Sequence, residues 1–213
     1  MSGSPLILPF LLKISKKYPL KKEASYMADV IDVANYILEI CREESEDEEY
    51  ELISHLKLQK LIYFCQGYSF AFFNKPLFND NIEAWTHGPV CPKLYHILKS
   101  YGSLPITVSI EPDKISLSDS EKQLIRMVYD SYGQYSAMGL RKITHEEGPW
   151  KDTQTSSVIS FESLSKYFSS RIETTAADHP WTDEEKEKLK KILEEAEANG
   201  EIDLSQFCIP MGT

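Results

Sequence analysis

The stretch from Ser54 to Phe73 constrains the fold more than any other part of the chain. Leu58, Leu61, Ile62, Cys65, Tyr68 and Phe72 recur at helical spacing on one face, while Phe64, Phe70 and Phe73 add apolar bulk on the others. A helix apolar nearly all round has no orientation that hides its own surface, so it must be buried by other elements. The spacing therefore predicts a central core helix from Ser54 to Phe73. Asn74-Lys75-Pro76 closes it, because proline cannot continue the hydrogen-bond ladder.

The elements that could wrap this helix are legible around it. Val30, Val33, Ala34, Ile37, Leu38 and Cys41 form one apolar stripe and predict a helix opening near Asp29. Ile82 to Trp85 reads as a short extended piece, and Thr86-His87-Gly88-Pro89 as a turn. Pro92 suits the first turn of a helix ending at Tyr101, with Gly102 as its C-cap. Thr107 to Ile110 and Lys114 to Leu117 flank Glu111-Pro112-Asp113 as a small hairpin or loop. Ser118 with Glu121 is a capping-box signature before a helix to Gly133. Ser136 caps another helix, ended near His145 by Gly148-Pro149. Phe161 to Ile172 is amphipathic, and Thr182 with Glu185 opens a charged helix reaching Asn199-Gly200. The expected fold is mainly α: a compact helical domain with a small β-hairpin or extended segment, plus a charged C-terminal helix.

Charge divides the 213 residues into three parts. Residues 1–26 carry +4, residues 27–172 carry -7 and residues 173–213 carry -7, giving the overall -10. The expected organisation follows this division: an N-terminal extension, a domain over 27–172, and an acidic tail with one helix. Met27 is expected to be the true start, the competing reading being a basic disordered arm over 1–26. An acidic chain is a poor partner for nucleic acid phosphates, so nucleic acid binding is not expected. No apolar run reaches the ~20 residues a bilayer requires. The Pro5–Leu12 run is short and its lysines follow it, the reverse of a signal peptide. Cys41, Cys65, Cys91 and Cys208 are too sparse for a disulfide scaffold and read as reduced thiols in a cytoplasmic protein.

Constellations for catalysis are weak. His87, Cys91 and His96 have a spacing that suggests metal ligands, but no fourth ligand or second short-spaced pair accompanies them. Cys65 sits mid-helix in an apolar run, where burial makes a thiol inert. There is no G-x-S-x-G, P-loop or dinucleotide fingerprint. No enzyme, metal or cofactor is therefore expected. Aromatic residues are plentiful, with 12 Tyr, nine Phe and three Trp. Tyr63, Tyr68, Phe70, Phe72, Phe73, Phe78, Trp85, Tyr95, Tyr101 and Trp150 are too many for one small core, so some should reach the surface as binding anchors.

Five strings stand in one order: Lys57 to Gly67, Asn74 to Phe78, Ile82 to Pro92, Leu94-Tyr95 with Leu98 to Gly102, and Thr144 to Trp150. Together these resemble the SocA-like antitoxin family, whose domain is also called Panacea, over roughly residues 28–152. Asn74 departs from the pattern, standing where a glycine is common, and an acidic insert separates the first two helices. The resemblance implies an antitoxin of a bacterial or phage toxin–antitoxin pair that neutralises a cognate protein toxin by binding it. The alternative it implies is an adaptor or phage-associated scaffold that presents its partner to a protease. The net negative charge suits a basic toxin. The positions matching the family strings, and so expected to contact a partner, are Lys57, Gln59, Lys60, Tyr63, Trp85, His87, Gly88, Pro89 and Tyr95. Gly88-Pro89 is expected to aim Trp85 and His87. Lys57 and Lys60 are expected to lie towards polar surface. A shared motif can equally encode the fold rather than the contact.

Overall fold

The computed structural model describes residues 27–45, 53–107, 110 and 116–178. Its elements in order are helix α1 (Val30–Ser45), helix α2 (His55–Phe73), strand β1 (Glu83–Trp85), strand β2 (Gly88–Val90), helix α3 (Pro92–Leu98), a 3-10 turn (Lys99–Tyr101), helix α4 (Asp119–Tyr132), helix α5 (Ala137–His145), helix α6 (Gly148–Lys151) and helix α7 (Phe161–Asp178). Among the described residues the chain is mainly α with one two-stranded antiparallel sheet. The N-terminal extension, most of the acidic run, most of the 107–117 loop and the helix expected from Thr182 lie outside the described residues.

As its sequence requires, α2 is the axis. Every residue from Leu58 to Phe70 is buried, and the helix touches α1, α3, α4, α5, α7 and β2. Ser54 caps its start and Asn74, in the left-handed conformation, closes its end. The surrounding core extends from Ala28 to Phe168. Around Phe168 the packing is aromatic: its ring meets Tyr63, Phe64 and Tyr68 edge-on. Phe64 stacks on Tyr132 at 4.0 Å, and the Tyr68 and Tyr132 hydroxyls share a 2.9 Å hydrogen bond. Gly67 lets α7 approach, since a Cβ there would stand 2.2 Å from the Phe168 ring.

Three buried side-chain amides hold the irregular segments. Gln66 accepts from the Leu77 and Phe78 N–H groups and donates to Phe78 O. Gln59, two helical turns earlier on the same face of α2, brackets the Cys91 N–H and C=O in the same way. Asn35 does so for Ile110. Each amide imitates a neighbouring strand and satisfies backbone groups that burial would leave unpaired.

The hairpin pairs Glu83 with Val90, Ala84 with Pro89 and Trp85 with Gly88. Proline is tolerated in β2 because Ala84 turns its own N–H and C=O to the other side, towards Ser157 and Ser156. The predicted turn is thus the tip of the hairpin, with Gly88 and Pro89 already in the second strand. Gly148-Pro149 likewise does more than end α5: it opens the short α6, with proline in the first turn. The helix at Phe161 runs six residues past its expected end at Ile172, to Asp178.

The capping box at α4 is complete. The Ser118 hydroxyl accepts from Glu121 N–H, and the Glu121 carboxylate accepts from Ser118 N–H at 2.8 Å. Ser118→Ala is expected to lower stability by about 1 kcal/mol, read as a lower urea midpoint with unchanged slope.

Candidate partner-binding site

The expected contact residues fall into two sets. Gln59, Lys60, Tyr63, Gly88 and Pro89 are buried, while Lys57, Trp85 and Tyr95 are half-buried and His87 is exposed. The aromatic surplus divides similarly. Tyr63, Tyr68, Phe70 and Phe78 are core, whereas Phe72, Phe73, Trp85, Tyr95, Tyr101 and Trp150 are half-buried.

Lys60 corrects the sequence reading most sharply. Expected towards polar surface, it is completely buried. Its stem passes beneath Gly88, and its ammonium donates to Pro89 O at 2.8 Å. Gly88 has φ +97°, and a Cβ there would lie 2.8 Å from Lys60 Cε, 2.9 Å from Nζ and 3.0 Å from Thr144 Oγ1. Glycine is required twice over, by backbone conformation and by this close approach. Burial, helped by the nearby Arg141 charge, pulls the Lys60 ammonium down to a pKa of about 7.

Aromatic rings brace the hairpin. Trp85 donates Nε1–H to Glu83 Oε2 at 2.8 Å and meets Tyr95 edge-on at 4.8 Å. Trp150 donates Nε1–H to Trp85 O at 2.9 Å, and its ring stacks on His145 at 3.8 Å. Sequence reasoning placed Thr144 to Trp150 in the shared pattern without assigning these residues a place at the hairpin. The available signal was Arg141 and His145 at i and i+4, which puts both on one face of α5. Burial and the charges of Arg141, Lys60 and His87 all lower the His145 pKa, while Glu146 opposes them. His87 and Cys91 are close in sequence, but Cys91 is buried at the start of α3 with its thiol pushed up by burial. Among the described residues, no three His, Cys, Asp or Glu side chains gather as metal ligands.

Behind the hairpin, Tyr63 belongs to a second buried polar group. Glu147 is 3% exposed and accepts from Arg171 at 2.5 Å. Burial raises its carboxyl to about 7 against the opposing pull of Arg171. The Tyr63 hydroxyl makes no hydrogen bond of ordinary geometry, yet lies close enough to Glu147 for each to influence the other's ionisation, and burial raises Tyr63 well above the usual phenol range.

Glu147 and Lys60 have opposite effects on stability. Between about 4.5 and about 7 the folded Glu147 keeps a proton that the unfolded chain releases, so stability falls as pH rises. Between about 7 and 10.5 the unfolded Lys60 holds a proton that the folded chain lacks, so stability rises with pH. Together these two groups contribute a stability minimum near neutrality, with limbs of up to about 1.4 kcal/mol per pH unit, against which the lowered His145 works on the acid side. In urea titrations Lys60→Met should flatten the alkaline limb and Glu147→Gln the acid limb.

Residues 58–151, from within α2 to the end of α6, match the family described as "Antitoxin SocA-like, Panacea domain". Over that segment the chain is similar to the SocA-like Panacea domain. The matched residues contain the hairpin, α5 and the three Gln59, Lys60 and Gln66 anchors, but not α1 or α7, which pack on the same core. Over 114 residues the chain is 33% identical to a protein named Antitoxin SocA from Caulobacter vibrioides (strain NA1000 / CB15N), covering 46% of this chain and 58% of that relative. It therefore spans less than two thirds of the length of this curated relative. No solved structure matches the chain. No helix among the described residues is long and apolar enough to cross a membrane.

Proposed function

We propose that this chain is a cytoplasmic antitoxin that neutralises a cognate protein toxin by direct binding, acting as a binding protein rather than a catalyst. The observation that carries this reading is the similarity, through the segment containing the hairpin and α5, to a protein named as an antitoxin. The geometry supports a contact role for the hairpin tip. His87 is exposed, Trp85 and Tyr95 are half-buried, and Lys60, Gly88 and Pro89 fix the backbone beneath them. Rigid aromatic groups of this kind suit binding hot spots because little freedom is lost when they are covered.

The test is titration calorimetry of the purified chain with the product of the adjacent gene. Saturable one-to-one heat, reduced at least about tenfold in affinity by Trp85→Ala, is expected. No heat with a folded neighbour product would reject the reading. In cells, a steady toxin level during growth rescue indicates sequestration, and a falling level indicates delivery to a protease.

A further inference from the structure

We propose that the corner between α5 and the hairpin, backed by Lys60, receives a carboxylate presented by the protein partner, from an acidic side chain or a chain terminus. The partner's identity rests on the antitoxin reading; the existence of the site does not.

Four groups that carry or can carry positive charge converge here: Lys60 on α2, His87 at the hairpin tip, and Arg141 and His145 on α5. Lys60, Arg141 and His87 lie within electrostatic reach of His145, and Arg141 within reach of Lys60. None of the four forms an ion pair among the described residues. Among the described residues Glu146 acts on His145 in the opposite sense, but it is exposed and forms no ion pair with any of the four. Arg141 carries the fixed charge here, while burial favours the neutral forms of Lys60 and His145; in a chain of net charge -10, a guanidinium without an ion-pair partner among the described residues is a local exception. An anion bound beside Arg141 would favour the charged forms of Lys60 and His145 and so be bound more tightly as they take up protons.

Hydrogen bonding points the same way. Arg141 Nε and His145 Nε2 are shut off from solvent and have no partner. The Lys60 ammonium has three protons and one acceptor, Pro89 O. Buried polar atoms without hydrogen-bond partners are rare in folded proteins, and Arg141 Nε can only donate. Arg141 and His145 are only half-buried as whole residues, so the guanidinium remains reachable, and its planar fork matches a carboxylate with two parallel bonds.

Met138, Arg141 and His145 occupy positions i, i+3 and i+7 of α5, on one face. Met138 is 60% exposed, and Trp150, whose ring stacks on His145, is tied through its indole N–H to the backbone carbonyl of the half-buried Trp85. An apolar and aromatic surround to a single charge is the pattern of a protein contact. A polyphosphate would meet the repulsion of the whole acidic chain.

Two arms test this. In the first, sodium acetate is titrated into the full chain against sodium chloride at fixed ionic strength, while the ring signals of His145 and His96 and the indole signals are followed by NMR. A saturable shift at His145 and Trp150, absent at His96 and lost in Arg141→Gln, is expected. No saturable shift, or the same shift in the variant, overturns the site. Arg141→Lys keeps the charge without the fork and should bind acetate more weakly than the native chain but better than Arg141→Gln, which checks that the loss is not one of folding.

The second arm is neutralisation of the adjacent gene's product by variants whose unfolding midpoint equals that of the native chain. Arg141→Gln should reduce affinity for that product by about tenfold or more, the loss of a charge-assisted bond. Full neutralisation by Arg141→Gln, with acetate still binding the native chain, overturns the partner carboxylate in favour of a small free anion. Failure of the native chain to neutralise its neighbour rejects the antitoxin reading alone, and leaves the acetate arm to decide the site.

Discussion

Gly67→Ala is expected to destabilise the chain by about 2 kcal/mol or more, although alanine is the better helix former by about 1 kcal/mol. The added methyl would lie 2.2–2.5 Å from the Phe168 ring. That ring cannot swing aside, because Tyr63, Phe64, Tyr68 and Tyr167 surround it. The helices must therefore move apart, which loosens the aromatic core at its most crowded point. Phe168→Leu shortens the opposing side chain and should partly rescue the glycine variant. Urea unfolding of the two single variants and the double variant is expected to give a coupling of about 1 kcal/mol or more. Strict additivity would mean that α7 does not close on α2 at Gly67.

Arg171→Met is expected to cost about 3 kcal/mol at pH 8, because it strands a buried carboxylate without its partner. Glu147 is 3% exposed and Arg171 18%, so solvent can offset little of the loss on the acidic side. The penalty should shrink on acidification. Without the guanidinium the folded carboxyl binds its proton still more tightly, so below neutrality it enters the fold uncharged. The difference between variant and native chain is therefore expected to be several-fold smaller at pH 5 than at pH 8. Adding Glu147→Gln should remove most of the pH dependence, as a neutral amide has no charge to strand. A penalty independent of pH would assign Arg171 a packing role through its contact with Tyr167 instead.

The contrast between these sites explains what the sequence could tell. The burial of α2 was legible because apolar residues occupy all its faces, and Ser54, Ser118 with Glu121, and Ser136 were legible as caps because capping is local in sequence. The hairpin was half legible: Gly88 marked a bend, but its pairing depends on Ala84 facing residues 156 and 157, a contact no short window contains. Lys60 was misplaced because lysine is an unusual residue to bury, and only Gly88 and Pro89, 28 and 29 residues on, reveal where its ammonium goes. Gln59, Gln66 and Asn35 carry no local sign of being backbone clamps. The family strings drew attention to Trp85, His87 and Lys60. Arg141, which joins them in space, lies outside those strings and emerges only when α5 is laid against the hairpin.

Under the proposed function, the hairpin and α5 restrain a protein partner. The most direct test is growth. The adjacent gene is expressed alone, then with the native chain, then with the Trp85→Ala and Arg141→Gln forms. Arrest by the neighbour alone, full rescue by the native chain and poor rescue by both stable variants is the predicted result. A harmless neighbour, or rescue that is indifferent to Trp85 and Arg141 together, would contradict it.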